Sequence, residues 1–439
     1  MGRVIIALML LLGLTRACFG QAHTGKERIS RQDVVDPSAC GASSPPSWCS
    51  GSDIGAWTNA AIADLGASGT IYIPDGQYNY ATTIRVSQAQ FKALTIHCGS
   101  RSAILNYTGN DSALYVTSNL NSAAQVTVEN CSFYGGSAGR SANGFSLYDA
   151  WNFRGVNDYL YGFRGLSVDC TGCIDAVFLN DDIVGAGTWN VRLTVDQKHS
   201  INSNANQFIG GSIVYGGAGN VWDAGSGDEL NTFRGVTFEE SRSVPQVLME
   251  GVLNDAVENS YLEYMQPSTS QTLCSIVLGN RSGSGWGSDA AHTARFVRLS
   301  NLYMATPGSS GANITAHICF LNSTYAHLED TNAYGSPKYG AYFYPGGEIL
   351  DNTIGPSSLS YKTSAYNRTP PGNLLWVPYG VKPSTGEWTY GADGSVQFGS
   401  VDAGAYNEVG GTAGFTGEKN AGSCTFTIVH GIIIEVSGC

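Results

Sequence analysis

Apolar residues recur along the chain with a period near 25, and this pattern predicts a stack of short strands. The segment from Asn206 to Ile213 is echoed 25 residues later by the segment from Asn231 to Phe238. In both copies an apolar residue is followed two places later by Gly and five places later by another apolar residue. The first apolar position recurs at Val128, Phe153, Phe178, Phe208, Phe233, Val257, Val297 and Leu328. A repeat of this length is typical of a β-solenoid, in which each repeat forms one coil.

Two further positions of the repeat agree with a coil. The position two places after the apolar column is Asn or Gly in six of the eight copies, and both residues tolerate a left-handed backbone bend. The position five places after it is apolar in all copies but one. Equivalent positions of neighbouring coils should then stack about 4.8 Å apart, which is the strand spacing of a sheet. The prediction fails if Phe208 and Phe233 lie far apart or in different sheets.

The segment ahead of the coils carries a more specific signature. Residues 53–65 have helical spacing. Their apolar face consists of Trp57, Ala61, Ile62 and Leu65. A Gly-rich break, a strand over residues 70–74, an Asp-Gly turn and a second strand over residues 78–86 follow. This order, with the run Ile73-Pro74-Asp75-Gly76-Gln-Tyr78, resembles the start of the pectate lyase superfamily domain of phage tailspike and polygalacturonase-related proteins.

The resemblance implies an all-β fold, a right-handed parallel β-helix (solenoid) whose open end is covered by an N-terminal capping helix. It implies such a β-helix over residues 51–369, and residues 373–439, which are Gly-rich and β-prone, are expected to form a small C-terminal β-module. The family includes lyases, hydrolases, epimerases and plain binding proteins. The resemblance therefore predicts the fold but not the reaction.

The first 22 residues have the pattern of a secretory signal peptide. Arg3 is followed by an apolar run from Val4 to Leu14 and by small residues up to Ala22, which is too short to span a bilayer. Cys18 leaves a lipoprotein alternative that Arg16 fits poorly. Residues 23–50 form an N-terminal segment. We expect a secreted, extracellular protein with no membrane attachment after cleavage.

Charge and cysteine content fit this expectation. The formal net charge is −12, which does not favour binding to nucleic acid or to an anionic membrane. The ten cysteines after the signal segment are an even number, which in an exported chain indicates disulfides. Pairing along the chain predicts the disulfides Cys40–Cys49, Cys98–Cys131, Cys170–Cys173, Cys274–Cys319 and Cys424–Cys439.

Two glutamates are the first candidates for catalysis. Glu239 and Glu263 follow the apolar residues Phe238 and Leu262, so strand alternation points both carboxylates outward. One coil apart, they would be roughly 5 Å from each other, a separation that fits the carboxylates of a retaining glycosidase. They could equally hold Ca²⁺ or be two glutamates of a solvated face. Tyr303 and Tyr334 would extend this strip as stacking platforms for sugar rings.

Other candidates are less specific. Asp181 and Asp182 resemble the Asp pair of polygalacturonases, but the further motifs of that family, Asn-Thr-Asp, Gly-His-Gly and Arg-Ile-Lys, are missing. Arg234 could be a lyase base or a uronate clamp, although its alternation with Glu258, Arg298 and Glu329 also predicts a surface ion-pair ladder. Trp222 could stack on a sugar or pack between loops. His199, alone in its loop, is expected to be solvated.

These observations predict a secreted protein that cleaves extracellular polysaccharide by hydrolysis through paired carboxylates. No organic cofactor is expected. A Ca²⁺-dependent polysaccharide lyase is one alternative. The other is a non-catalytic, tailspike-like glycan-binding or adhesion protein, a type that is often a homotrimer.

Overall fold

The computed structural model describes residues 34–42, 49, 53–66, 68–91, 93–118, 124–139, 141–241, 245–265, 274–280, 293–305, 314–335, 337–345, 349–361, 363–368, 370 and 373–377, and the later segments 388–390, 396–398, 417–421, 424–429 and 432–437. The predicted signal peptide lies outside these residues. In the described part of the chain, no helix is long and apolar enough to cross a membrane.

A single α-helix, Ile54–Leu65, precedes the coils in the described chain. It begins at Asp53, whose carboxylate accepts a hydrogen bond from the Ala56 amide at 2.7 Å, and it ends at Gly66, where φ is +73°. The second Asp53 oxygen accepts from the amides of Ala81 and Thr82 and so ties the helix to the first coil. Short 3₁₀ turns occupy Pro37–Gly41 and Gln88–Gln90.

The coils form three sheets of parallel strands, visited in the same order in every coil. The strand Val396–Phe398, at the end of the first sheet, is antiparallel to its neighbour Trp388–Tyr390. The first sheet contains Val34–Val35, Ser68–Ile73, Ala93–Cys98, Gln125–Glu129, Phe153–Val156, Val177–Leu179, Gln207–Ile209, Thr232–Arg234, Ala256–Glu258, Arg298–Ser300, His327–Glu329, Thr353–Ile354, Leu374–Val377, Trp388–Tyr390 and Val396–Phe398. The second contains Gly76–Tyr80, Ala103–Tyr107, Ser132–Tyr134, Tyr159–Tyr161, Asp182–Val184, Ser212–Val214, Thr237–Ser241, Tyr261–Met265, Tyr303–Ala305, Asn332–Tyr334 and Ser358–Leu359.

The third sheet contains Ile84–Ser87, Ser112–Thr117, Asn143–Tyr148, Val168–Thr171, Trp189–Thr194, Gly219–Glu229, Val247–Leu253, Cys274–Leu278, Ala294–Arg295, Ala316–Phe320, Ser323–Thr324, Tyr339–Phe343, Ile349–Leu350 and Ser364–Tyr366. A separate antiparallel sheet joins Gly417–Ala421, Cys424–Val429 and Ile432–Ser437. The predicted all-β solenoid is confirmed.

The predicted stacking of the repeat is also confirmed. Phe208 and Phe233 are register partners in the first sheet, and their ring centroids are 4.9 Å apart. The ring of Phe178 stacks on Phe208 in the same way at 4.5 Å. All three rings are buried, so each coil covers the apolar face of the next.

Two coils were placed two residues out of register by the sequence pattern. Val128 and Phe178 pair with Gly155, not with Phe153, and Val257 and Leu328 pair with Leu299, not with Val297. The cause is the period of two in a strand: Phe153 also points inward, so an apolar pattern cannot distinguish it from Gly155. The Phe153 ring packs 5.6 Å from Phe178 and contributes the apolar bulk that Gly155 lacks.

The corrected register makes the bend between the first and second sheets uniform. Its left-handed residues, all with positive φ, are Asn130, Asn157, Asn180, Gly210, Gly235, Asn259, Asn301 and Asp330. Asn, Gly and Asp adopt this conformation at low cost. In these coils a left-handed Asn, Gly or Asp therefore turns the chain from the first sheet into the second, and Gly211 is a second left-handed residue at the bend that contains Gly210.

Three predicted disulfides are present: Cys40–Cys49, Cys98–Cys131 and Cys274–Cys319. The predicted Cys170–Cys173 disulfide is wrong, because both thiols are buried in the coil interior without a bond between them. The Cys173 thiol donates instead to the Leu147 carbonyl at 3.4 Å. Cys439 lies outside the described residues, and so does the predicted Cys424–Cys439 disulfide.

Candidate functional site

The structure brings Glu239 and Glu263 together on the outer face of the second sheet. They are direct register partners on neighbouring parallel strands, which places their backbones about 4.8 Å apart. The preceding residues, Phe238 and Leu262, are buried in the core, so both carboxylates project outward. Each glutamate is half-buried.

The two carboxylates have different surroundings. Burial, followed by the charges of Glu263 and Glu240, raises the pKa of Glu239. Glu263 instead accepts a short hydrogen bond from the Tyr261 hydroxyl, and this bond, with burial, raises the pKa of Tyr261 to about 12. The pKa of Glu239 is therefore raised above its usual value, while the Glu263 carboxylate is held by a hydrogen-bond donor. Such a division is characteristic of acid and base roles in carboxylate pairs.

An aromatic row lies beside the acid pair. The Tyr261 and Tyr303 rings are 5.3 Å apart, and Tyr303 and Tyr334 are 5.2 Å apart. Tyr303 and Tyr334 are 45% and 54% exposed, so part of each ring is accessible to a ligand. Tyr303 pairs with Tyr261, and Ala305 pairs with Glu263. Tyr303 therefore lies in the outward-facing column of Tyr261, two residues before the column that contains Glu239 and Glu263.

Buried amides fix the backbone of that column. The side-chain amide of Asn190 donates to the Val214 carbonyl at 2.7 Å, that of Asn220 to the Glu239 carbonyl at 3.0 Å, and that of Gln246 to the Glu263 carbonyl at 2.7 Å. Asn190 also donates to Asn220, and Asn220 to Gln246. This amide ladder lies at the starts of the third-sheet strands and holds the backbone carbonyls of both glutamates.

Arg234 and Trp222 lie on other sheets. Arg234 is an exposed residue of the first sheet, in register with Glu258. The expected ion-pair ladder is present farther along, where Arg298 contacts Glu258 at 3.4 Å and Glu329 at 3.5 Å. Trp222 is half-buried on the third sheet, where it packs against Trp189 and donates to Glu250 at 2.8 Å. Neither Arg234 nor Trp222 adjoins the acid pair.

Asp181 and Asp182 have separate structural contacts. Asp181 is buried, and its carboxylate accepts from the Asp158 amide at 2.6 Å. Burial raises the pKa of Asp181 to about 8. Asp182 forms an ion pair with Arg101, whose guanidinium also donates to the carbonyls of Asn157, Asp158 and Asn180. We interpret both aspartates as structural residues that hold the bend between the first and second sheets in place.

A second polar group was not expected from the sequence. His199 does not stand alone: its Nδ1 lies 3.1 Å from Asp149 Oδ2 and in short contact with Asp196 Oδ2. Tyr148 donates to Asp196 at 2.7 Å. The spacing Asp196-x-x-His199 was a local signal, but the contact with Asp149, fifty residues away, depends on the register of the third sheet.

Burial and the nearby charge of Asp196 raise the pKa of Asp149 to about 6. Burial also acts on Asp196, but the hydrogen bonds from Tyr148, the Lys198 amide and His199 outweigh it and lower the pKa of Asp196. The cluster is at the edge of the third sheet, on a face different from that of the acid pair.

Solved structures of other proteins share this architecture. The A-module of mannuronan C-5 epimerase AlgE4 from Azotobacter vinelandii aligns with a TM-score of 0.51 and 10% identity, over 78% of this chain and 100% of the module. The Dettilon tailspike protein gives 0.47 and 11%, over 81% and 66% of the two chains. The catalytic unit of a GH87 alpha-1,3-glucanase from Streptomyces thermodiastaticus gives 0.40 and 11%, over 80% and 71%.

No protein-family model and no curated protein sequence matches the chain. At such low identity, structural similarity shows the fold alone. The parallel β-helix fold expected from the N-terminal signature is therefore confirmed.

Proposed function

We propose that this protein is exported and hydrolyses an extracellular polysaccharide at the outer face of its second sheet. The observation that carries the proposal is the registered pair Glu239 and Glu263, whose surroundings differ in the way that an acid and a nucleophile require. The three internal disulfides support export. A mannuronan epimerase module of the same fold supports a carbohydrate substrate.

In this mechanism Glu239 donates its proton to the glycosidic oxygen as the leaving sugar departs. The Glu263 carboxylate attacks the anomeric carbon and forms a glycosyl-enzyme. Glu239, now a base, takes a proton from water, and the resulting hydroxide releases the sugar from Glu263. A carboxylate separation of about 5–5.5 Å predicts this retaining course. Tyr303 and Tyr334 would stack on neighbouring sugar rings.

A Ca²⁺-dependent lyase is supported less well. Calcium takes six to eight oxygen ligands, and the two glutamates would supply at most four. The proposed base Arg234 projects from the first sheet, away from that ion. The exposed tyrosine row instead favours a second candidate, a glycan-binding protein without catalysis.

The test is incubation of the purified protein with a panel of plant and microbial polysaccharides. Reducing ends and the ultraviolet absorbance of unsaturated uronates are measured, with and without EDTA. We expect new reducing ends without absorbance and without loss in EDTA. Glu239→Gln should lower kcat by about 10²–10⁴-fold, and Glu263→Gln by at least as much. Glu258→Gln, on the first sheet, is the matched control.

Other outcomes identify the alternatives. Reducing ends accompanied by absorbance would mean a lyase. Binding without either product would mean an adhesin, and Tyr303→Ala should then weaken it. If both glutamine variants retained full activity, the acid pair would not be the site.

A further inference from the structure

Three potential metal ligands converge near the ends of two strands of the third sheet. Asp149 follows the strand Asn143–Tyr148, and Asp196 and His199 follow the strand Trp189–Thr194. One ligand atom from each lies within 4.8 Å of the other two, and His199 Nδ1 is 3.1 Å from Asp149 Oδ2. Ligands bound to one Zn²⁺ by bonds of about 2.0–2.2 Å are separated by roughly 3–3.5 Å.

The hydrogen bonds of the group are incomplete without a cation. Nδ1 of an imidazole carries at most one proton, yet it faces an oxygen of each carboxylate. Asp149 is only 2% exposed, and its Oδ1 has no hydrogen-bond partner. Among the described residues, no Lys or Arg forms an ion pair with Asp149 or Asp196. Two buried carboxylates therefore face one another without a fixed positive charge to balance them.

Gly172 packs beside the unpartnered oxygen of Asp149 without a side chain of its own. It belongs to the coil between those of Asp149 and Asp196, and it has a φ of +67°. A Cβ at this position would lie 2.6 Å from Asp149 Oδ1 and 3.1 Å from Asp196 Cβ. Any side chain here would therefore enter the space into which the unpartnered oxygen points.

A second layer of donors orients Asp196. Its Oδ1 accepts from the Tyr148 hydroxyl at 2.7 Å and from the Lys198 amide at 2.9 Å. Those bonds occupy one oxygen and direct Oδ2 toward His199 and Asp149. Outer hydrogen bonds of this kind fix the orientation of metal-binding carboxylates.

We propose that Asp149, Asp196 and His199 bind a divalent first-row transition-metal ion, with Zn²⁺ as the type case. One imidazole nitrogen with two carboxylates matches the ligand preference of such ions, whereas Ca²⁺ prefers oxygen alone. His199 lies in an exposed turn, so the remaining coordination positions are open to water or to a ligand hydroxyl. The site stands on the third sheet and is independent of the proposed acid pair.

The test uses the full chain, stripped with EDTA and dialysed. Co²⁺ binding is followed by visible absorption, Zn²⁺ binding by calorimetry, and retained metal by mass spectrometry. The wild type should bind about one ion per chain, as a three-ligand site predicts. Asp149→Asn and His199→Gln should each weaken Co²⁺ binding at least tenfold, and Tyr148→Phe by about 10–100-fold through the outer bond.

His327→Gln is the control, because His327 also contacts a carboxylate, that of Glu329 at 3.1 Å, but only one. It should bind Co²⁺ as the wild type does. If Asp149→Asn does not fold, His199→Gln decides alone, since His199 is in an exposed turn. The proposal is overturned if the wild type binds neither ion, or if Asp149→Asn and His199→Gln bind as tightly as the wild type, which would mean an adventitious ion only.

Discussion

Burial and neighbouring charges raise the pKa of the proposed acid Glu239, and the effect of one charge can be isolated at a single residue. Glu239 has a raised pKa because of burial and the charges of Glu263 and Glu240. Of the two neighbouring charges, only that of Glu240 lies outside the proposed reacting pair. It can therefore be changed without removing a catalytic group.

Glu240→Gln should move the alkaline limb of the pH–rate profile to lower pH. The acid must be protonated to act, so activity is lost as pH rises through the pKa of Glu239. Removing a neighbouring negative charge lowers that pKa. Activity on the acid side should be unchanged, and Glu258→Gln should leave the profile in place. If the alkaline limb of Glu240→Gln stays at the wild-type pH, the assignment of Glu239 as the acid is contradicted.

Asp181 should make the folded protein less stable in mild alkali. Its folded pKa, about 8, is above the unfolded value of about 3.9, so the folded state holds the proton more tightly. The resulting stability is fully present at low pH and is lost as pH rises toward 8. Buried His317 has the opposite effect between pH 4 and 6.5, because burial lowers its pKa to about 4.

Asp181 alone should therefore lower the unfolding free energy by up to about 1.4 kcal/mol per pH unit between about pH 4 and 8, and above pH 6.5 His317 no longer offsets it. Asp181→Asn should reduce this slope and should be more stable than the wild type at pH 8. Chemical denaturation across the pH range measures it. Asp111→Asn, at an exposed ion pair with Arg85, should keep the wild-type slope; equal slopes in all three proteins would refute the prediction.

At the scale of single elements, a buried amide ladder connects the fold to the site. Asn190, Asn220 and Gln246 are almost fully buried and bind the carbonyls of three successive strands. The sequence pattern missed this ladder because its members, at the starts of third-sheet strands, are spaced unequally along the chain. Polar residues at such positions look like ordinary surface residues until the register of the coils is known.

Asn220→Ala should destabilise the protein by about 3 kcal/mol, because it leaves several buried partners unsatisfied at about 1–3 kcal/mol each. It should also lower kcat more than it raises KM, since it releases the backbone of Glu239 without touching substrate. Denaturation midpoints and kinetics measure both effects. Asn301→Gly, which removes an exposed side-chain amide at a left-handed bend that Gly tolerates, is the control; equal losses in the two variants would argue against a positioning role.

At the scale of the whole molecule, each coil stabilises its neighbours through packing in the core. The stacked rings of Phe178, Phe208 and Phe233 connect three coils through the core. Phe208→Ala should cost about 3–5 kcal/mol. Hydrogen exchange should accelerate most in the coils next to it, as nearest-neighbour coupling requires. A uniform acceleration along the whole chain would contradict this view.

The same scale explains what could be predicted from the sequence. Periodicity and the Ile73 to Tyr78 signature were sufficient for the architecture, the capping helix and the pairing of Glu239 with Glu263. Two-residue register shifts at Phe153 and Val297 were invisible, because a shift by two preserves which side chains point inward. The His199 cluster joins coils that are not adjacent, so its contacts required the three-dimensional register.

The most direct test of the central claim is the anomeric configuration of the first product, followed by proton NMR during hydrolysis of a susceptible polysaccharide. Glu239 and Glu263 on adjacent strands are close enough for direct attack on the sugar, so the account predicts retention of configuration. Inversion would require a water molecule between more widely separated carboxylates and would contradict the assignment of this pair.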